Sequence, residues 1–170
     1  MSAFSNRSIM LVKKALEDAG VECKYQPRVP LTVDAGSEPK WTVPDFIVEM
    51  PWGLRIVEVD ECQHRSYNIH PRDDVIRDFH LARSLPLQLG QKLQIIRYNP
   101  DAFFVDGVDK RVPQEQRLAR LLELVADQTE PVREFERLFL YYDSESDDEL
   151  PVCSAVWDDI VAKSVSRVVW

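Results

Sequence analysis

Residues 44–64 read PDFIVEMPWGLRIVEVDECQH, and this stretch decides the fold. Phe46–Met50 (FIVEM) and Leu54–Asp60 (LRIVEVD) are rich in branched residues, and Pro51-Trp52-Gly53 between them is turn chemistry, so the segment is expected to be a hairpin. Acidic groups then stand where a buried hairpin tolerates them poorly. Asp45 opens the first strand, and Glu58 and Asp60 close the second. Side chains two apart on a strand share a face, so Glu58 and Asp60 project together with Ile56, and a neighbouring strand brings Asp45 alongside. The bland alternative, solvent-facing acids on an edge strand, sits badly with the apolar residues around them.

Three carboxylates gathered at one end of a sheet repel one another unless a cation lies among them. Mg²⁺ suits such a place, because it takes one or two carboxylates and completes its shell with waters and phosphate oxygens. The three cysteines, Cys23, Cys62 and Cys153, are odd in number and far apart, which argues against a disulfide framework. Cys62, His64 and His70 lie close together but lack zinc-site spacing.

Outward from the hairpin, residues 5–19 form an amphipathic helix with Ile9, Val12 and Leu16 on one stripe and Gly20 at its end. Residues 21–29 are expected to be a strand, 31–42 a loop, 65–71 a connection and 72–85 a helix whose Val75, Ile76, Phe79 and Leu81 face inward. Residues 92–99 read as a strand, 113–127 as the clearest helix and 135–143 as a last strand. This α-β-β-β-α-β-α-β order predicts an α/β domain with a mixed sheet flanked by helices. The domain is expected over 1–143, followed by an acidic linker at 144–150 and an apolar appendage at 151–170 that reads as a short amphipathic helix. A chain of 170 residues, 45% of them hydrophobic, is long enough for one ordinary core. No run is apolar enough to span a bilayer and the first residues lack signal-peptide architecture, so no membrane association and an intracellular place, cytoplasmic or nuclear, are expected.

The net charge of -8 is unfavourable for a nucleic-acid partner, but residues 143–170 carry -5 of it, leaving only -3 on the rest. Trp41 and Trp52 flank the Pro44-Asp45 strand, either packed against the hairpin or free to stack on bases.

With these residues in view, the chain resembles the PD-(D/E)xK, or restriction-endonuclease-like, nuclease superfamily, whose αβββαβ core has the order read above. Pro44-Asp45 followed by Glu58 and Asp60 carries the motif. The longer string EVDECQHRSY at 58–67 is similar to the EVDExQHxxY block of restriction-like domains known from giant viruses, and to the EVDGxxH block of very-short-patch-repair-like endonucleases. DVIR at 74–77, IIRYNPDAF at 95–103 and LFLYYD at 138–143 extend the likeness.

The resemblance implies a Mg²⁺-dependent endodeoxyribonuclease, with Mn²⁺ as a substitute ion and RNA not excluded as substrate. It implies that Asp45, Glu58, the Val59 carbonyl and Asp60 hold the metal. Gln63 and His64 flank it, His64 moving a proton, and Asp74, Arg77 and Arg97 support it or meet phosphate. Asp60 stands where many members carry a lysine, and Val43 where a basic residue precedes Pro-Asp. Those departures fit an alternative: a catalytically silent nuclease-like domain that binds a protein partner through its C-terminal tail.

Overall fold

The computed structural model describes residues 5–31, 40–61, 71–85, 90–105, 107–142 and 164–169. The hairpin is its centre. Strands β4 (Phe46–Met50) and β5 (Gly53–Val59) pair antiparallel, with Ile47 opposite Ile56 and Met50 opposite Gly53. Gly53 has φ +147°, and a Cβ there would lie 2.1 Å from the Lys92 carbonyl oxygen. Backbone on both sides leaves no room to yield, so Gly53→Ala is expected to destabilise the fold by about 3 kcal/mol. A urea melt checks this; a loss under about 1 kcal/mol would mean that the turn can re-form with a side chain.

Around the hairpin a six-stranded mixed sheet runs in the order β1-β4-β5-β6-β9-β10. The short β1 (Lys24–Tyr25) pairs antiparallel with β4, while β6 (Lys92–Tyr98), β9 (Phe135–Leu140) and β10 (Ser164–Val169) continue from β5 in parallel. Parallel neighbours need crossovers. Helix α2 (Pro71–Ser84) joins β5 to β6, and helix α3 (Gln114–Ala126) lies between β6 and β9.

The helices take opposite faces. Ile9, Val12 and Leu16 of α1 (Ser5–Asp18), with Leu121 and Val125 of α3, pack on Phe46, Val48, Val57, Ile96 and Leu138. On the other face, Leu81 and Leu85 cover Ile47, Ile56, Leu93, Ile95 and Phe135. Because both faces are covered, the central strands are buried at nearly every position, apolar residues being interspersed with the buried polar side chains Arg55, Glu58, Gln94, Arg97, Glu136 and Arg137. Among the described residues no helix is long and apolar enough to cross a membrane.

Three readings change. The segment 21–29 does not run as one strand: β1 stops at Tyr25, Gln26 turns with φ 43°, and Val29–Leu31 begins a separate strand, β2. β2 pairs antiparallel with β3 (Lys40–Thr42), inside what reads as a loop; residues 32–39 lie outside the described set. Residues 164–169 form strand β10, not a helix, because SVSRVV alternates with period two and is rich in valine. A small hairpin of β7 (Phe103–Val105) and β8 (Val108–Lys110) was signalled by Asp106-Gly107 and goes unread in the sequence.

Candidate active site at the sheet end

β4 runs opposite to β5, so the start of β4 lies beside the end of β5, and both meet the ends of β6 and β9 there. Asp45, Glu58 and Asp60 therefore come to one end of the sheet, on the face covered by α2. The Val59 N–H donates to Asp45 Oδ2 at 2.9 Å, which ties the start of one strand to the end of the other.

The three acids differ in how their charge is met. Asp60 is 1% exposed, and its Oδ2 accepts from Arg97 Nη1 at 2.5 Å and from the Tyr142 hydroxyl at 2.5 Å. Arg97, 2% exposed, also grips Asp78 of α2 through Nε and Nη2, each at 3.0 Å. Asp60, Arg97, Asp78 and Tyr142 thus form a buried network, in which Arg97 bonds one oxygen of Asp60 and both oxygens of Asp78. Arg137, 1% exposed on β9, lies close to this network, and burial lowers its affinity for the proton.

Glu58 is placed differently. It is 3% exposed, and its Oε1 lies 2.8 Å from Arg77 Nη2, near enough for an ion pair but off the line that a hydrogen bond needs. Glu58 Oε1 and Arg77 Nε and Nη2 are all buried without a hydrogen-bond partner. Burial pushes the Glu58 carboxyl up to about 8 even with Arg77 beside it, and the charge of Asp45 adds to the push. Burial, and then the charge of Asp60, also holds Asp45 above the usual carboxylate range, against the Val59 hydrogen bond. Burial thus holds two of the carboxyls, Glu58 and Asp45, above their ordinary range.

The predicted site residues are placed as follows. Among the described residues no three His, Cys, Asp or Glu side chains are grouped closely enough to hold a metal ion together. The Asp60 Oδ2 is held by Arg97 and Tyr142. Arg97 does not face solvent to meet phosphate, because Asp60 and Asp78 occupy its guanidinium inside the sheet. Arg77 pairs across to Glu58. Gln63 and His64 lie outside the described residues, as does the Asp74 side chain; Asp74 itself belongs to α2.

Sequence reading missed Asp78, which is fully buried. The signal was its place in the stripe Asp78, Leu81, Leu85, an acid in line with core leucines. Asn99 of the IIRYNPDAF segment is structural: its Nδ2 donates to the Tyr141 carbonyl at 2.8 Å and its Oδ1 accepts from the Asp101 N–H at 3.0 Å.

A second buried polar row crosses the opposite end and face of the sheet. Arg55 donates through Nε to Gln94 Oε1 at 2.6 Å, and through Nη1 to the carbonyls of Val125 and Asp127, each at 2.7 Å. It therefore satisfies carbonyls at the C-terminus of α3, where the helix dipole favours a cation. Gln94 passes the chain on to Glu136. Trp52 packs beneath Arg55, ring to guanidinium at 5.2 Å, and its Nε1 donates to the Gln128 carbonyl at 3.1 Å. Of the two readings open for Trp52, packing is the one observed. No protein-family model, no curated protein and no solved structure matches the chain.

Proposed function

We propose that the chain is a metal-dependent endodeoxyribonuclease on a restriction-endonuclease-like αβββαβ core, working on DNA inside the cell. The order α1, β1, β4, β5, α2, β6, with two antiparallel pairings and then a parallel one, supports that core. The observation that carries the function is the unsatisfied pair at the sheet end. Glu58 Oε1 is a buried acceptor that makes no hydrogen bond, its only ion-pair contact among the described residues being Arg77, and burial raises both its carboxyl and that of its neighbour Asp45. Arg77, its side chain a third exposed, has two buried nitrogens, Nε and Nη2, that make no hydrogen bond, although Nη2 lies within ion-pair distance of Glu58. A cation answers the first deficiency and a phosphate oxygen the second.

Asp45 and Glu58 would hold Mg²⁺, or Mn²⁺ in its place. When bound, such an ion supplies Lewis acidity and a water of lowered pKa for phosphodiester hydrolysis. The chain's own residues then divide the remaining work. The Val59 N–H fixes the Asp45 carboxylate. Arg77 meets the non-bridging oxygens of the scissile phosphate, providing the positive charge that Asp60 cannot. Asp60, locked to Arg97, positions the end of β5. His64 keeps the role that the resemblance gives it, moving a proton to or from the reacting oxygens.

The test is cleavage of supercoiled plasmid. Cutting is expected with Mg²⁺ or Mn²⁺, to be absent in EDTA, and to fall at least roughly a hundred-fold in Asp45→Ala, the loss that several kcal/mol of transition-state stabilisation implies. Failure of the folded wild type to cut with either ion would retire the reading. One observation favours a second: Arg77 already stands 2.8 Å from Glu58, as it would in a silent domain that binds a protein through its tail. Calorimetry separates the two, since the silent domain has no reason to bind Mg²⁺ at Asp45 and Glu58.

A further inference from the structure

The ribbon formed by β2 and β3 has two unlike faces. Val29 and Thr42 stand opposite each other and are buried, 7% and 6% exposed, with Val29 packed among Leu81, Leu85 and Ile47. Alternation sends the next pair, Pro30 and Trp41, to the outer face. Trp41 is 51% exposed there, a large aromatic at a position that the core does not use. Arg28 and Val43 continue the same face at the ribbon's end; Arg28 is exposed and Val43 is 44% exposed. The Arg28 guanidinium lies over the Trp41 ring at 5.1 Å. Among the described residues neither Arg28 nor Lys40 pairs with a carboxylate, although the chain as a whole is acidic.

The ribbon ends at the candidate site. Only Val43 and Pro44 separate Thr42 from Asp45. From this geometry we infer that the outer face of the β2–β3 ribbon is a stacking platform for single-stranded nucleic acid, with an unpaired base lying on Trp41 and Arg28 drawing the adjoining phosphate. An aromatic ring with a cation stacked on it is what unpaired bases bind. A duplex hides its base faces, and an outer face made of Pro30, Trp41 and Val43 has few donors with which to read a groove. The inference rests on the nuclease reading for its biological sense, and the platform would hold a frayed or unpaired strand beside Asp45.

The experiment is fluorescence anisotropy of the full chain with a labelled oligodeoxythymidylate in EDTA, where cleavage cannot occur. The wild type should bind the strand more tightly than a blunt duplex of equal length. Trp41→Ala should weaken strand binding roughly ten-fold and Trp41→Phe should keep most of it. Arg28→Ala should lower the salt slope of log K by about 0.7, the value for one phosphate contact on a single strand. Val132→Ala, at a site 88% exposed and away from the ribbon, should change nothing. Unchanged binding by Trp41→Ala overturns the inference, as does a wild type that binds no strand, or a Trp41→Ala variant altered only in self-association. Strand binding lost in Trp41→Ala, in a protein that never cuts plasmid, would retire the nuclease and leave the platform standing.

Discussion

Arg97→Ala is expected to cost about 3–5 kcal/mol of stability, the range for removing one partner of a buried ion pair. In a chain of this length each kcal/mol moves the melting temperature by about 2–4 °C, so a fall of roughly 6–20 °C should be seen. The size follows from what is left behind. Arg97 is the cation between Asp60 and Asp78, and both acids are essentially without solvent, 1% and 0% exposed. Deleting the guanidinium strands two carboxylates that water cannot reach. Arg97→Lys should rescue little, since one ammonium cannot give three donors in a fixed fork to acids on two sides. Thermal melts at neutral pH decide the matter. A loss below about 1 kcal/mol would mean that Asp60 and Asp78 find other partners or take up protons cheaply. The same geometry predicts that Arg97 variants which remain folded keep the wild-type salt dependence of DNA binding, because Arg97 is not available to a phosphate.

This network also marks the boundary of what the sequence could reveal. The hairpin, α1, α2, α3, β6 and β9 were legible because their signals are local: alternation, a 3.6-residue stripe, or a turn of Pro-Trp-Gly. The convergence of Asp45 on Glu58 was legible too, because an antiparallel hairpin brings the start of one strand to the end of the next. Which acid would be neutralised was not. Glu58 and Asp60 share a face and a strand, and only the packing of α2 and β9 brings Asp78 and Tyr142 to the Arg97–Asp60 pair. Trp41 and Trp52 were likewise equivalent in the sequence. Burial separates them, one beneath Arg55 and the other stacked with Arg28 in solvent. The strand at 164–169 was misread because its valines suit a helix stripe and a strand face alike over so short a run.

The second large effect concerns Glu58, where stability and activity should move in opposite directions. The Glu58 carboxyl is raised from 4.5 to about 8 by burial. Between those values the folded chain keeps a proton that the unfolded chain has released, so stability must fall as pH rises through that window. Asp45, raised for the same reason, adds in the same direction. In EDTA the wild type should therefore be most stable near pH 5 and lose on the order of a few kcal/mol by pH 8. Glu58→Gln keeps the shape and an acceptor for Arg77 but has no charge to bury. Its stability should fall less over the same range, keeping only the part due to Asp45, and at pH 8 it should melt no lower than the wild type. Its plasmid cleavage should nevertheless fall at least roughly a hundred-fold, since it keeps none of the charge that would hold the metal. Adding Mg²⁺ should raise the melting temperature of the wild type at pH 8 and leave Glu58→Gln unmoved, because a ligand stabilises only the state that binds it. Urea or thermal melts at pH 5 and pH 8, with and without Mg²⁺, separate the outcomes. A variant that is much less stable than the wild type at pH 8 would show Glu58 to be a satisfied partner of Arg77. The buried charge would then serve the fold, and the case for a cation at this sheet end would go with it.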